Sequence, residues 1–389
     1  MTSIQTIEPQ TTVVPEKTAG SRLLVGLATT VLVVAAPIII GAAGGNYWIR
    51  VLDFAMLYVM LALGLNVVVG FAGLLDLGYI AFYAVGAYVA ALLSSPHLST
   101  QFEWIAHFAP NGLHVPFLII VPCAMALAAL FGVLLGAPTL RLRGDYLAIV
   151  TLGFGEIVRI FMNNLDNPVN ITNGPKGITG VDSISVGSFN LAQAHSLFGF
   201  QFPSLYVYYY AFVLCALLVI WVCTRLQHSR IGRAWAAIRE DEVAAKAMGI
   251  NTRNAKLLAF AMGASFGGLS GAMFGSFQGF VSPESFTLQE SIVVLACVVL
   301  GGMGHIPGVI LGAVLLAVLP EFLRSTMGPL QNAIFGHEIV DTEVIRQLLY
   351  GLAMVLIMLY RSEGLWPSPK HEDKLAKVAK RNNKTRSRA

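Results

Sequence analysis

The chain has 389 residues, of which 56% are apolar and only 12% charged, against about 25% charged residues in ordinary globular domains. Its mean hydropathy is +0.70, and the apolar residues fall in long blocks, which excludes a disordered chain, a secreted disulfide scaffold and a cytosolic enzyme. The blocks are too long and too continuous for an outer-membrane barrel, so the class is an all-α, polytopic membrane helical bundle.

A polar stretch, 1–22, reads as a cytoplasmic N-terminal tail. Ten blocks follow with about the 20 residues needed to cross about 30 Å of hydrocarbon: 23–43, 48–69, 76–93, 115–137, 145–162, 205–224, 257–280, 289–303, 306–324 and 345–361. The first is longer than a signal-peptide core and is read as a retained helix. Together they predict a transmembrane domain over 23–361 with about ten spans, interrupted by one sizeable polar loop, 225–256. The tail 362–389 is basic and broken by Pro367 and Pro369, which suits solvation or anionic headgroups and no nucleic-acid role. Cys123, Cys215, Cys223 and Cys297 lie inside apolar blocks with no CxxC pair, as buried small hydrophobes do.

Basic residues set the orientation. The loop 225–256 holds seven, Arg225, Arg230, Arg233, Arg239, Lys246, Arg253 and Lys256, and the segment 361–389 holds nine more. Both belong on the cytoplasmic side, and counting spans backwards puts the N-terminus, Lys17, Arg22, Arg141 and Arg143 there too. The opposite connections 94–114, 163–204 and 325–344 contain only Lys176, with Arg50, Arg159, Arg324 and Arg346 near span ends. The expected topology is multi-pass with both termini cytoplasmic.

Helices in lipid associate through small residues. Gly263, Gly267, Gly271 and Gly275 recur every four positions, a seam that serves tight packing or a sliding face; Gly304, Gly308 and Gly312 repeat the spacing. Ionisable residues at membrane depth are costly and mark pathway or packing positions. Asp145 opens the fifth span, where a carboxylate suits a helix N-terminus. Glu156 and Arg159 share a face and can pair. Asn66 and Asp76 flank a junction beside Gly70 and Gly73, where a broken helix would expose backbone groups. Glu284 and Glu290 lie in or near an outer turn, as solvated carboxylates or as contacts for an external protein. His97, His107 and His114 have no metal-ligand spacing, so no metal is expected. No phosphate-binding G-x-x-x-x-G-K-[ST], G-x-S-x-G or H-E-x-x-H motif occurs; any ATP chemistry belongs to another polypeptide.

The loop segment 229–250 is rich in alanine, the best helix former. Glu242 and Lys246 stand in the favourable i,i+4 order, and Gly249 suits a helix end. One or two short helices are predicted, with alanines that allow close approach of another protein and charges that fix its register.

Here the sequence resembles a known family. Gly232-Arg233-Ala234, then Ile238 through Arg239, Glu240, Asp241, Glu242, Val243, Ala244 and Ala245, then Gly249-Ile250, is similar to the coupling loop of ABC-importer permeases. That signature is Glu-Ala-Ala, three residues, then Gly; here Val243-Ala244-Ala245 precedes Gly249, valine replaces the glutamate and Glu242 comes one position early. Thr139–Arg159 (TLRLRGDYLAIVTLGFGEIVR), Gly279–Phe286 (GFVSPESF), Val298–Gly304 (VVLGGMG) and Gly73–Gly78 (GLLDLG) with Tyr83–Tyr88 (YAVGAY) resemble LivM-type permeases of branched-chain (hydrophobic or neutral) amino acid ABC importers.

The resemblance implies an ABC-importer permease fold and no enzymatic activity in this chain. It implies ATP and magnesium on partner subunits only. The partners would be a second related permease, two cytoplasmic ABC ATPases and a periplasmic or lipid-tethered amino acid binding protein, all at the lipid bilayer of a bacterial plasma (inner) membrane. Two alternatives stand beside it: an ABC permease for another small polar solute such as urea, and a stand-alone ion-coupled secondary transporter. The latter would need coupling carboxylates near midplane within paired repeats.

Overall fold

The computed structural model describes the backbone of residues 19–335 except 140, 141, 143, 188, 194, 198 and 199, together with 364–366 and scattered helical positions between 344 and 360. The chain divides into two units, 1–48 and 49–389, each taken by itself. Helix α1 (Ala19–Asn66) contains Pro37 and is broken at Gly45, whose φ of 73° and ψ of −171° are not helical. This break falls between the first two sequence-derived spans.

The second unit continues from α1 through α2 (Ile80–Ser94), α3 (His97–Gln101), α4 (Glu103–Phe108), α5 (Phe117–Thr139), α6 (Asp145–Asn164), α7 (Ser204–His228), α8 (Arg230–Glu240), α9 (Glu242–Ala247), α10 (Thr252–Gln278), α11 (Leu288–Gly301) and α12 (Ile306–Phe335). Helix α10 is central, packed chiefly on α5 and α2. Its glycines permit that approach. A Cβ at Gly271 would sit 2.1 Å from the Tyr83 carbonyl oxygen, and one at Gly268 would sit 2.6 Å from that of Ala124. The seam Gly263, Gly267, Gly271 and Gly275 therefore lies against α1 and α2, through Gly64, Val68, Phe82, Tyr83 and Ala87. Gly308 and Gly312 bring α12 equally close to Gly301 and Cys297 on α11. With no hydrophobic drive in lipid, such backbone proximity supplies the packing that holds helices together.

Among the described residues, six helices are long and apolar enough to span a membrane: Gly45–Phe71, Phe117–Thr139, Ser204–His228, Thr252–Gln278, Pro283–Gly301 and Ile306–Thr326. The sequence reading expects about ten. Helix α2 is apolar but has only 15 residues. Helix α6 carries Asp145, Glu156 and Arg159. The tenth predicted span, 345–361, lies largely outside the described residues. Helices α5 and α7 turn Leu130, Leu134, Leu214, Leu217, Leu218 and Trp221 outward, the inverse of a soluble surface and suited to lipid or a neighbouring helix.

The chain is mostly helical, as expected, and its connections add short strands. Six strands of two or three residues pair antiparallel: β1 (Ile178–Thr179) with β6 (Phe280–Val281), β2 (Ser185–Val186) with β3 (Phe189–Asn190), and β4 (His195–Leu197) with β5 (Phe200–Phe202). The segment between α6 and α7 holds Pro168, Pro175 and Pro203 and several positive-φ positions, among them Asn173 and Gly177. A continuous α-helix does not run through it; one 3₁₀ turn, Gly174–Lys176, and short ladders satisfy part of the backbone. Cys223 and Cys297 are buried as expected, but Cys215 is half-buried and Cys123 is exposed on α5.

Candidate functional site

The polar features converge where α1 ends. Beyond Asn66 the chain makes one π-helical turn, Val67–Phe71, and then runs without regular structure to α2. Asn66 is buried and its Oδ1 accepts from the Gly304 amide at 2.8 Å. Gly304 has φ +83 and follows α11 directly. Asp76, also buried, accepts from the Gly78 amide at 2.9 Å. Gly78 lies on the backbone of α6, where a Cβ would sit 1.9 Å from the Thr151 carbonyl oxygen, and the neighbouring Leu77 amide donates to Thr151 Oγ1 at 3.0 Å. A helix break inside a membrane bundle needs such partners, because freed backbone groups find no water there.

The loop 229–250 forms two short helices. Ser229 caps α8, its hydroxyl accepting from the Gly232 amide at 3.1 Å. Gly232 is required by crowding, since a Cβ would meet the Leu226 carbonyl oxygen at 2.2 Å. Trp235 is fully buried and donates from Nε1 to the Ala255 carbonyl at 2.7 Å, tying α8 to the start of α10. Asp241 caps α9 through the amides of Val243 and Ala244, at 2.7 and 3.0 Å. Ala245 is buried, Ala244 exposed and Ala234 half-buried, while Gly249 takes φ +84 just past α9. Val243 is 65% and Met248 83% exposed, beside exposed Lys246.

Arg239 joins the two regions. Near the end of α8, its Nη1 donates to the Gly70 carbonyl inside the π-helical turn. A Cβ on Gly73 would lie 2.8 Å from Arg239 Cγ. From the last turn of α7, Gln227 Nε2 reaches the Gly304 carbonyl at 3.3 Å. Arg239 on α8 therefore holds the break at Gly70, and Gln227 on α7 holds Gly304 beside it. A cleft of about 360 Å³ opens beside this contact, between Gly73–Leu75, Leu147 and residues 238–243.

Two charged groups behave differently from the sequence expectation. Glu242 pairs with Lys256, 2.6 Å away and almost wholly buried, and not with Lys246. A buried ammonium needs a counter-charge more than an exposed lysine does. Glu290 is no solvated turn carboxylate: in the first turn of α11 and half-buried, it accepts from the Tyr58 hydroxyl at 2.7 Å. Glu284 is exposed, 3.6 Å from Arg159 and bonded by Asn163 at 3.2 Å. Arg159 also donates to Glu156 at 2.9 Å, so these carboxylates share one guanidinium. Asp145 opens α6 after Gly144, exposed. Arg233 is exposed and reaches the His228 carbonyl at 3.3 Å, while Glu240 is exposed beside the cleft. Sequence reasoning missed Lys256 as a buried partner and Tyr58 altogether; their partners lie 14 and 232 positions away, beyond any local spacing rule. Among the described residues no group of three or more His, Cys, Asp or Glu side chains is arranged to hold a metal.

A membrane bundle broken near one end and held there by a projecting helix has the build of a transport permease. Residues 47–358 match the family described as branched-chain amino acid transport system permease component, and the chain belongs to that family. It is 41% identical over 362 residues to the high-affinity branched-chain amino acid transport system permease protein LivM of Escherichia coli, covering 90% of this chain and 76% of that one. It is 26% identical to the permease BraD of Pseudomonas aeruginosa, covering 81% of this chain and 93% of BraD. The permease LivH of Escherichia coli is 24% identical, covering 67% of this chain and 80% of LivH. No solved structure matches. These relatives are transport subunits and not enzymes, and the presence of LivM and LivH among them points to systems with two kinds of permease.

Proposed function

We propose that this chain is the membrane-spanning permease subunit of an ABC importer for branched-chain and other neutral amino acids, driven by ATP hydrolysis on separate subunits. The family and the 41% identity to LivM support the transport role. The observation that carries the mechanism is the Arg239 hydrogen bond to Gly70, because it joins the projecting helix α8 to the break after α1.

In this reading α8 and α9 lie on the cytoplasmic side and seat in an ABC ATPase, with Val243, Ala244 and Met248 outermost. Ser229 and Asp241 hold the two helices in shape, while Trp235 and the Glu242–Lys256 pair fasten them to α10. Closure of the ATPases displaces α8; through Arg239 the displacement reaches Gly70, Asn66 and Gly304, and the bundle changes its open side. A zwitterionic substrate with an apolar side chain needs few charges along its route, which suits the apolar spans. The full assembly is this chain, a second related permease, two ATPases and an external binding protein, in the plasma membrane. The chain crosses it about ten times, with both termini inside.

The test is reconstitution. The chain is purified with its neighbouring gene products and placed in proteoliposomes. ATP-dependent accumulation of L-leucine that requires the ATPases supports the reading; gradient-driven accumulation by the lone chain overturns it.

A further inference from the structure

At the end of the bundle away from α8 and α9 there is a second concave region, of about 270 Å³. That is near the lower end of small-molecule pockets, which begin at about 300 Å³. It lies between the end of α2, the start of α5, the last turns of α10 and the β2–β3 hairpin, with Ser94, Val115, Phe117, Asp182, Ser185 and Ser276 among its lining.

The pocket is polar at the rim and apolar beneath. Ala272 is one helical turn below Ser276, and Ala90 is one turn below Ser94. With Ile120 and Ala124 they form a small buried cluster against which Val115 and Phe117 pack. At the rim, His114 Nδ1 is 2.6 Å from Asp182 Oδ2 and its Nε2 is 2.9 Å from the Asn111 carbonyl oxygen. Both partners accept, and the bond to Asp182 above all raises the ring's pKa above its ordinary value. Asp182 lines the pocket and brings a carboxylate to its rim.

The hydroxyls are not equivalent. Ser94 donates to the Ala90 carbonyl at 2.6 Å and Ser183 donates to Asn190 Oδ1 at 2.7 Å. Ser276 is only 3% exposed and its Oγ has no hydrogen-bond partner. A buried hydroxyl without a partner costs stability, and this one lines the pocket.

We propose that this pocket is a binding subsite for a small zwitterionic α-amino acid with an apolar side chain. The ammonium group meets Asp182, the carboxylate accepts from the Ser276 and Ser185 hydroxyls, and the side chain rests on Val115, Phe117 and Ile120. The assignment rests on the transport reading, for which this would be a station on the outer side. It adds where the two charged ends of the substrate are held.

The assembled complex in nanodiscs, without binding protein, is titrated with radiolabelled L-leucine. L-leucinol, which lacks the carboxylate, and 4-methylpentanoate, which lacks the amine, serve as competitors. Both should compete at least about tenfold more weakly than leucine, since each loses a charge-assisted contact. Asp182→Asn should weaken leucine binding about tenfold and remove the preference for leucine over 4-methylpentanoate. Ser276→Ala breaks no intramolecular hydrogen bond, so its fold is kept; it should weaken leucine and 4-methylpentanoate alike and bring leucinol, which has no carboxylate to lose, nearer to leucine. Leucine binding that both variants leave unchanged overturns the subsite, and ATP-driven leucine uptake by the same complex then still stands. Binding that follows these variants in a complex unable to accumulate leucine supports the subsite and overturns the transport reading.

Discussion

Lys256 Nζ and Glu242 Oε1 are 2.6 Å apart, with the lysine side chain 6% exposed and the glutamate 30%. This pair fastens α9, a helix of six residues, to the beginning of α10. A helix this short has no independent stability; its position depends on the Asp241 cap and on this contact.

Removing one partner strands a buried charge. Glu242→Gln is expected to destabilise the α8–α9 region by about 2–3 kcal/mol. Lys256→Met on its own leaves the carboxylate half-exposed and costs less. The double substitution should recover most of the Glu242→Gln loss. Amide hydrogen exchange over 242–256 in the purified complex reads this directly, and equal protection in wild type and Glu242→Gln would deny the pair its fastening role.

The glycines of the bundle are not interchangeable. Gly271→Ala places a methyl against the Tyr83 carbonyl and should abolish folded, monodisperse protein, whereas Gly153→Ala, with nothing within 4 Å of the added atom, should be tolerated. Gly153 lies inside α6, where alanine is intrinsically better than glycine by about 1 kcal/mol. Size-exclusion chromatography of the two variants separates these outcomes.

Gly73 combines a φ of +71° with a close approach to Arg239. A side chain there is strained and pushes the guanidinium away from Gly70. Gly73→Val should therefore lower transport per ATP while leaving the complex assembled, measured by co-purification of the ATPases beside leucine uptake.

The hydrogen bonds from His114 to Asp182 and to the Asn111 carbonyl hold its imidazole proton, raising its pKa above 6.5. A raised folded-state value means that this contact contributes fully below about pH 6.5 and is lost as pH rises through the folded value. The loops around Asn111 and Asp182 should accordingly exchange amide hydrogens faster, relative to a His114→Gln control, as the pH passes that point. The imidazole resonances in a nuclear magnetic resonance titration give the folded value itself.

Much of the fold is legible in the sequence because hydrophobic length and glycine spacing are local signals. The blocks 205–224 and 306–324 lie within α7 and α12, the block 115–137 starts two residues before α5, and the Gly263–Gly275 repeat marks the face of α10 that meets α1 and α2. The two short helices of the loop follow from alanine content and Gly249, while their caps at Ser229 and Asp241 are seen only in the structure. What the sequence hides is partnership over distance. Nothing near Arg239 announces Gly70, 169 positions earlier. Local spacing favours Lys246 for Glu242, and burial decides for Lys256. The short ladders of 178–202 were hidden too, because strands of two or three residues leave no alternation to read.

The coupling role proposed for α8 turns on the hydrogen bond from Arg239 to Gly70, so the most direct measurement is leucine accumulated per ATP hydrolysed in proteoliposomes holding the complete complex with Arg239 or Arg239→Ala. With the bond removed, ATP hydrolysis should continue while leucine accumulated per ATP falls by about tenfold or more, as expected for loss of a charge-assisted contact. An unchanged ratio in the variant would contradict transmission through Arg239 and Gly70.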